Sequence, residues 1–208
     1  MKQLPVPGHF GLLYTAPAAL TESLQSAAAH ELLHQCLPLY AETGRIRLTD
    51  SPVILRTEMG KPYFPDFPTV HFNLSHCKGL AACLLSPYEC GVDTERKRPV
   101  RERVAARVFS PEEQAALQAA SDPDLFFTQL WTLKESYVKA IGVGISYPMR
   151  EVRFTFTPDG IRCSKPDAAF WQCIEGEFVI SVCILKAPSP GTAPPADHSA
   201  QTALPARN

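Results

Sequence analysis

The sequence has no excess of positive charge. Lys and Arg number 20 against 21 Asp and Glu, a formal net charge of -1. No global basic field is available to draw in nucleic acid, so any cationic site is local and no nucleic-acid partner is expected. No stretch approaches the ~20 apolar residues that a membrane span needs, so no membrane partner is expected either. No secretory leader is expected, because Pro5 and Pro7 break the start before a long apolar run forms. A cytoplasmic protein is the expectation. The seven cysteines contain no Cys-x-x-Cys spacing, which excludes the commonest zinc-ribbon and redox motifs. Their odd number argues against a full disulfide framework. Cys83 and Cys183 sit among apolar residues and read as small buried hydrophobes in a reducing compartment.

What remains is ordinary globular composition over 208 residues, 45% hydrophobic and 20% charged. That is enough to bury a core, as one large domain or two small halves. Periodicity predicts a helix over 21–40, where Leu24, Ala28, Leu32, Cys36 and Tyr40 recur at helical spacing and Gly44 follows as a stop. Strands are expected at 46–48, 53–57, 70–75, 79–85 and 90–95, with a turn-rich bend over 60–65. A basic helix is expected over 100–109. Ser110-Pro111-Glu112-Glu113 is a helix start with a capping box. Asp122-Pro123 opens the longest periodic segment, 124–140, which Gly142 terminates. Strands follow at 151–157, 170–174 and 178–185. From Ala187 the chain is rich in Pro, Ala and Ser and reads as a disordered tail. Each half places a helix ahead of a strand meander, so two similar α+β halves are expected: 1–88 and 89–186, then the tail 187–208.

Three clusters carry chemistry. On the long helix, Phe126, Phe127, Leu130, Trp131, Leu133, Tyr137, Val138 and Ile141 share one apolar arc. Lys134 falls inside it, which is costly unless an anion meets the ammonium or the side chain snorkels out. Glu135 and Lys139 form an i,i+4 pair. In Gly91-Val92-Asp93-Thr94-Glu95, the two carboxylates project from one face of a strand and repel unless a cation lies between them. A hard ion with oxygen ligands suits them, Mg2+ especially; a solvated strand end is the plain alternative. In Phe72-Asn73-Leu74-Ser75-His76, the last two residues point oppositely, so they suit anion binding better than a nucleophile–base pair. Lys61, after Gly60, is a further candidate phosphate contact.

Gly60-Lys61-Pro62, Phe72-Asn73-Leu74-Ser75-His76, Gly91-Val92-Asp93-Thr94-Glu95 and Trp131-Thr132-Leu133-Lys134-Glu135-Ser136-Tyr137-Val138-Lys139-Ala140 stand in the order of the Sfp-type 4'-phosphopantetheinyl transferases, which the chain resembles from about Gly60 to Ser146. The resemblance implies an α+β fold of two similar halves with the site in the cleft between them. It implies that Asp93, Glu95 and Glu135 hold Mg2+, and that Lys61, Ser75, His76, Lys134 and Lys139 lie along the phosphates of coenzyme A. Catalytic roles then fall to Glu135, Lys139 and His76. The co-substrate is coenzyme A, the partner is an acyl or peptidyl carrier protein, and two internal halves permit a monomer. A Mg2+-dependent phosphohydrolase and a non-catalytic carrier-protein or coenzyme A binder are the rival readings. One departure stands out: the first long helix holds no Lys or Arg, only His30 and His34, with Arg45 and Arg47 beyond it. The dense basic run from Arg96 through Arg107, Arg101 and Arg103 included, is expected to meet an acidic carrier.

Overall fold

In a computed structural model of the chain, residues 2–4, 6, 9–15, 21–44, 46–47, 52–144 and 146–186 are described. The expected tail over 187–208 lies outside them, as do Arg45 and Leu48. The architecture is α+β. A four-stranded antiparallel sheet runs in the order β1 (Lys2–Gln3), β2 (Phe10–Thr15), β6 (Leu80–Ser86), β5 (His71–Cys77). A three-stranded sheet runs β10 (Ala168–Glu175), β11 (Phe178–Leu185), β7 (Cys90–Arg96). Two hairpins stand apart, β3 (Leu55–Arg56) with β4 (Pro62–Tyr63), and β8 (Phe154–Thr157) with β9 (Gly160–Cys163). Among the described residues, four α-helices complete the fold, α1 (Glu22–Ala41), α2 (Glu102–Val108), α3 (Pro111–Ala119) and α4 (Pro123–Ile141), with a short 3-10 helix at Met149–Glu151.

Helix boundaries follow the expected signals. Ser110 accepts from Glu113 N, and Glu113 reaches back to the Ser110 N–H, the full capping box. Asp122 accepts from Leu125 N ahead of Pro123, and Gly142 closes α4 in the left-handed region at φ 74. The expected strands near the N-terminal half are shorter than their patterns. Ile46 and Arg47 are not in a strand, and only Leu55–Arg56 pairs within 53–57.

β6 is buried on both faces, which is why it reads as one apolar run without alternation. One face, with Ala81, Cys83 and Leu85, packs with Leu32, Leu33, Cys36 and Tyr40 of α1. The other, with Leu80, Ala82 and Leu84, packs with Val92, Ile180, Val182 and Ile184 of the three-stranded sheet. Each Leu, Ile or Val side chain among them contributes about 1.5–3 kcal/mol by leaving water, and each Ala less, so the two sheets share an apolar joint. A third cluster lies under α4, around Phe109, Phe127, Leu130, Leu133 and Val152.

The two sheets meet at edge strands β5 and β7. Outward-facing N–H groups on an edge need acceptors. Here side chains supply them: Val92 N donates to Asn73 Oδ1 at 2.9 Å and Thr94 N to Ser75 Oγ at 3.1 Å. No helix among the described residues is long and apolar enough to cross a membrane.

Candidate active site

β7 and α4 carry the carboxylates, and Gly91 sets their distance. A Cβ there would stand 2.0 Å from Ser136 O and 2.5 Å from Ala140 N, so the α4 backbone lies directly on β7. Phe127, Trp131, Glu135 and Lys139 follow one another at four-residue intervals along one stripe of α4, and Lys139 meets the strand.

Lys139 reaches across to β7. Its Nζ lies 2.6 Å from Asp93 Oδ1, 3.1 Å from Ser75 Oγ and 3.2 Å from Val92 O. Ser75 also donates to Asp93 Oδ1 at 3.2 Å. Asp93 is 6% exposed, and its second oxygen, Oδ2, is buried without a hydrogen-bond partner. Glu95 pairs with Arg98 at 3.2 Å. Burial pushes Glu95 up from its ordinary value, with Arg98 pulling it down and Asp93 pushing it further up. Burial also drives Glu135 to about 7, and the charges on Asp93 and Glu95 add to that while Lys139 and Arg98 oppose it. The three expected metal ligands therefore share one electrostatic neighbourhood. They are not drawn into a cage: no group of three His, Cys, Asp or Glu side chains among the described residues stands close enough to hold an ion. An orphaned buried carboxylate oxygen beside two further acids with raised pKa is nonetheless the donor set a hard divalent ion fits.

Glu135 and Lys139 line a cavity of about 190 Å³ with Gly60, Lys61, Asn73 and Gly142. Lys61 contributes its stem there. Its ammonium is engaged by Glu89 and by the Ala140 carbonyl at the end of α4. Glu89 in turn is held down at about 2, by His71 first and then by Lys61. A second cavity of about 170 Å³ shares Pro62 and Asn73 with the first and is lined by Ser26, His30, Arg56 and His76. Ser75 and His76 thus part company. Ser75 is 4% exposed and lies beneath Asp93, with its hydroxyl committed to Thr94, Lys139 and Asp93, so it supports the site from below rather than lining the cavity. A larger cavity, about 500 Å³, lies between Arg103, Arg107, Trp131 and Tyr147.

Lys134 is corrected by the structure. It does not lie along a phosphate path. It is fully buried, and its Nζ meets Glu113 Oε2 at 2.8 Å, the Met149 carbonyl at 2.9 Å and the Val152 carbonyl. Those three contacts use all three ammonium donors. Burial lowers its pKa and Glu113 opposes the fall. The anion that an inward lysine demands exists, but it is a capping residue of α3.

Sequence reasoning missed Arg56, Asn73 and Arg98 as members of the site. Asn73 sat inside a named motif, yet its role as acceptor for Val92 needs the sheet edge to be known. Arg56 was hidden in a short hairpin, and Arg98 in a run of six basic residues. Of the cations considered near α1, His30 lines the second cavity, whereas His34 and Arg47 are exposed.

Comparison with known proteins identifies a family. Residues 89–183 match the model of the 4'-phosphopantetheinyl transferase superfamily. A 4'-phosphopantetheinyl transferase of Bacillus subtilis is 39% identical over 203 residues, covering 84% of this chain and 90% of the relative. The Sfp protein of the same species is 34% identical over 114 residues, covering 53% and 51%. Among solved structures, the holo-(acyl-carrier-protein) synthase of Bacillus anthracis is similar, with a TM-score of 0.43 and 16% identity, covering 49% of this chain and 97% of that one.

Proposed function

The chain belongs to the 4'-phosphopantetheinyl transferases, and from that premise we propose that it moves the phosphopantetheine arm of coenzyme A onto a serine of an acyl or peptidyl carrier protein. The observation that carries the reading is the buried, unpartnered Oδ2 of Asp93 beside Glu135 and Lys139. The cleft lies where the N-terminal half, 1–88, meets the C-terminal half, 89–186. The protein acts as a cytoplasmic monomer.

Asp93, Glu95 and Glu135 would hold Mg2+, which supplies charge neutralisation for the diphosphate. Glu135, beside Asp93 and one turn from Lys139, takes the proton from the carrier serine hydroxyl. The serine oxygen forms a bond to the phosphorus that bears the pantetheine arm. The bond from that phosphorus to the bridging oxygen breaks, and adenosine 3',5'-bisphosphate departs. Lys139 lies one turn from Glu135 and is 29% exposed where Lys134 is fully buried. It gives up its longer contacts with Ser75 Oγ and Val92 O for the phosphate oxygens as charge builds there. His76, with His30 and Arg56 around the adjoining cavity, offers donors to a further phosphate. The exposed Arg101 and Arg103 face an acidic carrier surface.

The test is mass spectrometry of apo carrier proteins incubated with the chain, coenzyme A and Mg2+. A phosphopantetheine adduct on serine is expected with the wild type and none with Glu135→Gln. Breakdown of coenzyme A without any carrier adduct would sink the transferase reading.

A further inference from the structure

Two cations occupy the ends of the acidic row. Lys139 holds Asp93, and Arg98 holds Glu95. The second contact is built in more firmly than a surface ion pair. The Arg98 guanidinium lies 5.0 Å from the centre of the Trp131 ring and 5.7 Å from that of Phe127. These are the first two members of the α4 stripe that continues to Glu135 and Lys139. Stacking over aromatic faces fixes a planar guanidinium in a way it would not fix an ammonium. The Arg98 backbone N–H donates to Thr128 Oγ1 at 3.3 Å, which ties the residue to α4 through the backbone as well. Arg98 Nε is buried without a partner, a cost that a side chain held only by solvent would not bear. Glu95 is thus gripped by an arginine that is itself wedged on α4.

Asp93 and Glu95 are each already held by a cation, so a divalent ion has to compete with Lys139 and Arg98 for them. A diphosphate changes the balance. It adds negative charge beside Glu135 and Lys139 and competes for both cations.

We propose that Arg98 is a positioning residue that keeps Glu95 paired in the free protein and so makes divalent-ion binding conditional on the diphosphate substrate. The proposal rests on the three-carboxylate reading given above. Released from Glu95, the guanidinium remains on its aromatic platform, and Glu95 swings to join Asp93 and Glu135. An ion is then admitted only when there is a diphosphate to neutralise.

The experiment is a Mn2+ titration followed by electron paramagnetic resonance of the free ion, with and without coenzyme A and with no carrier present. In the wild type, coenzyme A is expected to tighten Mn2+ binding. In Arg98→Gln and Arg98→Met, Mn2+ affinity of the free protein is expected to rise by about tenfold, within the usual range for coupled sites, and the gain from coenzyme A to shrink. Circular dichroism identifies whichever variant keeps the fold. Unchanged or weaker ion binding by the folded variant overturns the role of Arg98 and leaves the metal reading standing. A wild type that takes up no Mn2+ even with coenzyme A overturns the three-carboxylate reading itself, and the proposal with it.

Discussion

Lys139 Nζ lies 2.6 Å from Asp93 Oδ1, so the charge relationship among the acids also ties helix α4 to strand β7. Replacing Lys139 with Met removes the cation and strands a carboxylate that is 6% exposed. Transfer to a carrier is expected to fall by roughly 10²–10³ in kcat, the usual cost of losing one preorganised group at developing charge. Steady-state kinetics check this, and a variant with near-normal kcat would remove Lys139 from the chemistry.

Glu135 gives a pH dependence with a definite sign. Its folded-state value is raised to about 7 from 4.5, so folding favours the protonated form. The associated stability is fully present below the ordinary value and is lost as pH rises through about 7. Without divalent ion, Glu135→Gln should therefore gain stability over the wild type at about pH 8, on the order of 1–2 kcal/mol once solvent screening is allowed for. Urea melts of both proteins at about pH 5 and about pH 8 measure it. Equal differences at the two values would show that Glu135 does not titrate with folding.

Lys134 and Glu113 are expected to behave as a structural pair. Glu113→Gln leaves a fully buried ammonium without its counter-charge and should cost about 3–5 kcal/mol. Lys134→Met combined with Glu113→Leu should recover much of that loss. Calorimetry of coenzyme A binding separates this from a phosphate role: the folded double variant should bind as tightly as the wild type.

Gly91→Ala tests the approach of the helix to the strand. The added methyl would meet Ser136 O at 2.0 Å, against backbone that cannot rotate aside. A destabilisation of about 1–3 kcal/mol is expected from the overpacking. Transfer should fall further than stability accounts for, because α4 carries both Glu135 and Lys139.

Charge reversal at Arg101 and Arg103 tests carrier docking. KM for an acidic carrier is expected to rise while coenzyme A binding holds, since neither residue lines the two cavities beside the acids. An unchanged KM would move the docking face elsewhere.

Much of this was legible along the chain because the signals were local. The capping box at Ser110, the Asp122-Pro123 start and the Gly142 stop each depend on neighbours within four residues, and each stands as expected. Asp93 and Glu95 were legible because a strand period of two puts them on one face. Lys134 was half legible. Periodicity placed it inward and demanded an anion, but Glu113 lies on another helix that no local pattern links to it. Strands β1 and β2 escaped notice because Pro5 and Pro7 obscured the pattern, and pairing with β6 is what makes them strands. The hairpin partner β9 is four residues long and largely outside the core, so burial left little imprint on its composition.

Asn73 and Ser75 stitch the two sheets together with side-chain oxygens in place of a backbone ladder. A ladder is indifferent to which residues form it, whereas this seam exists only while an amide and a hydroxyl occupy those two positions. Either stitch can be cut by a single codon change without unravelling a sheet. The amide protons of Val92 and Thr94, bordering Asp93 on both sides, thus become reporters of how often the molecule opens along its own midline.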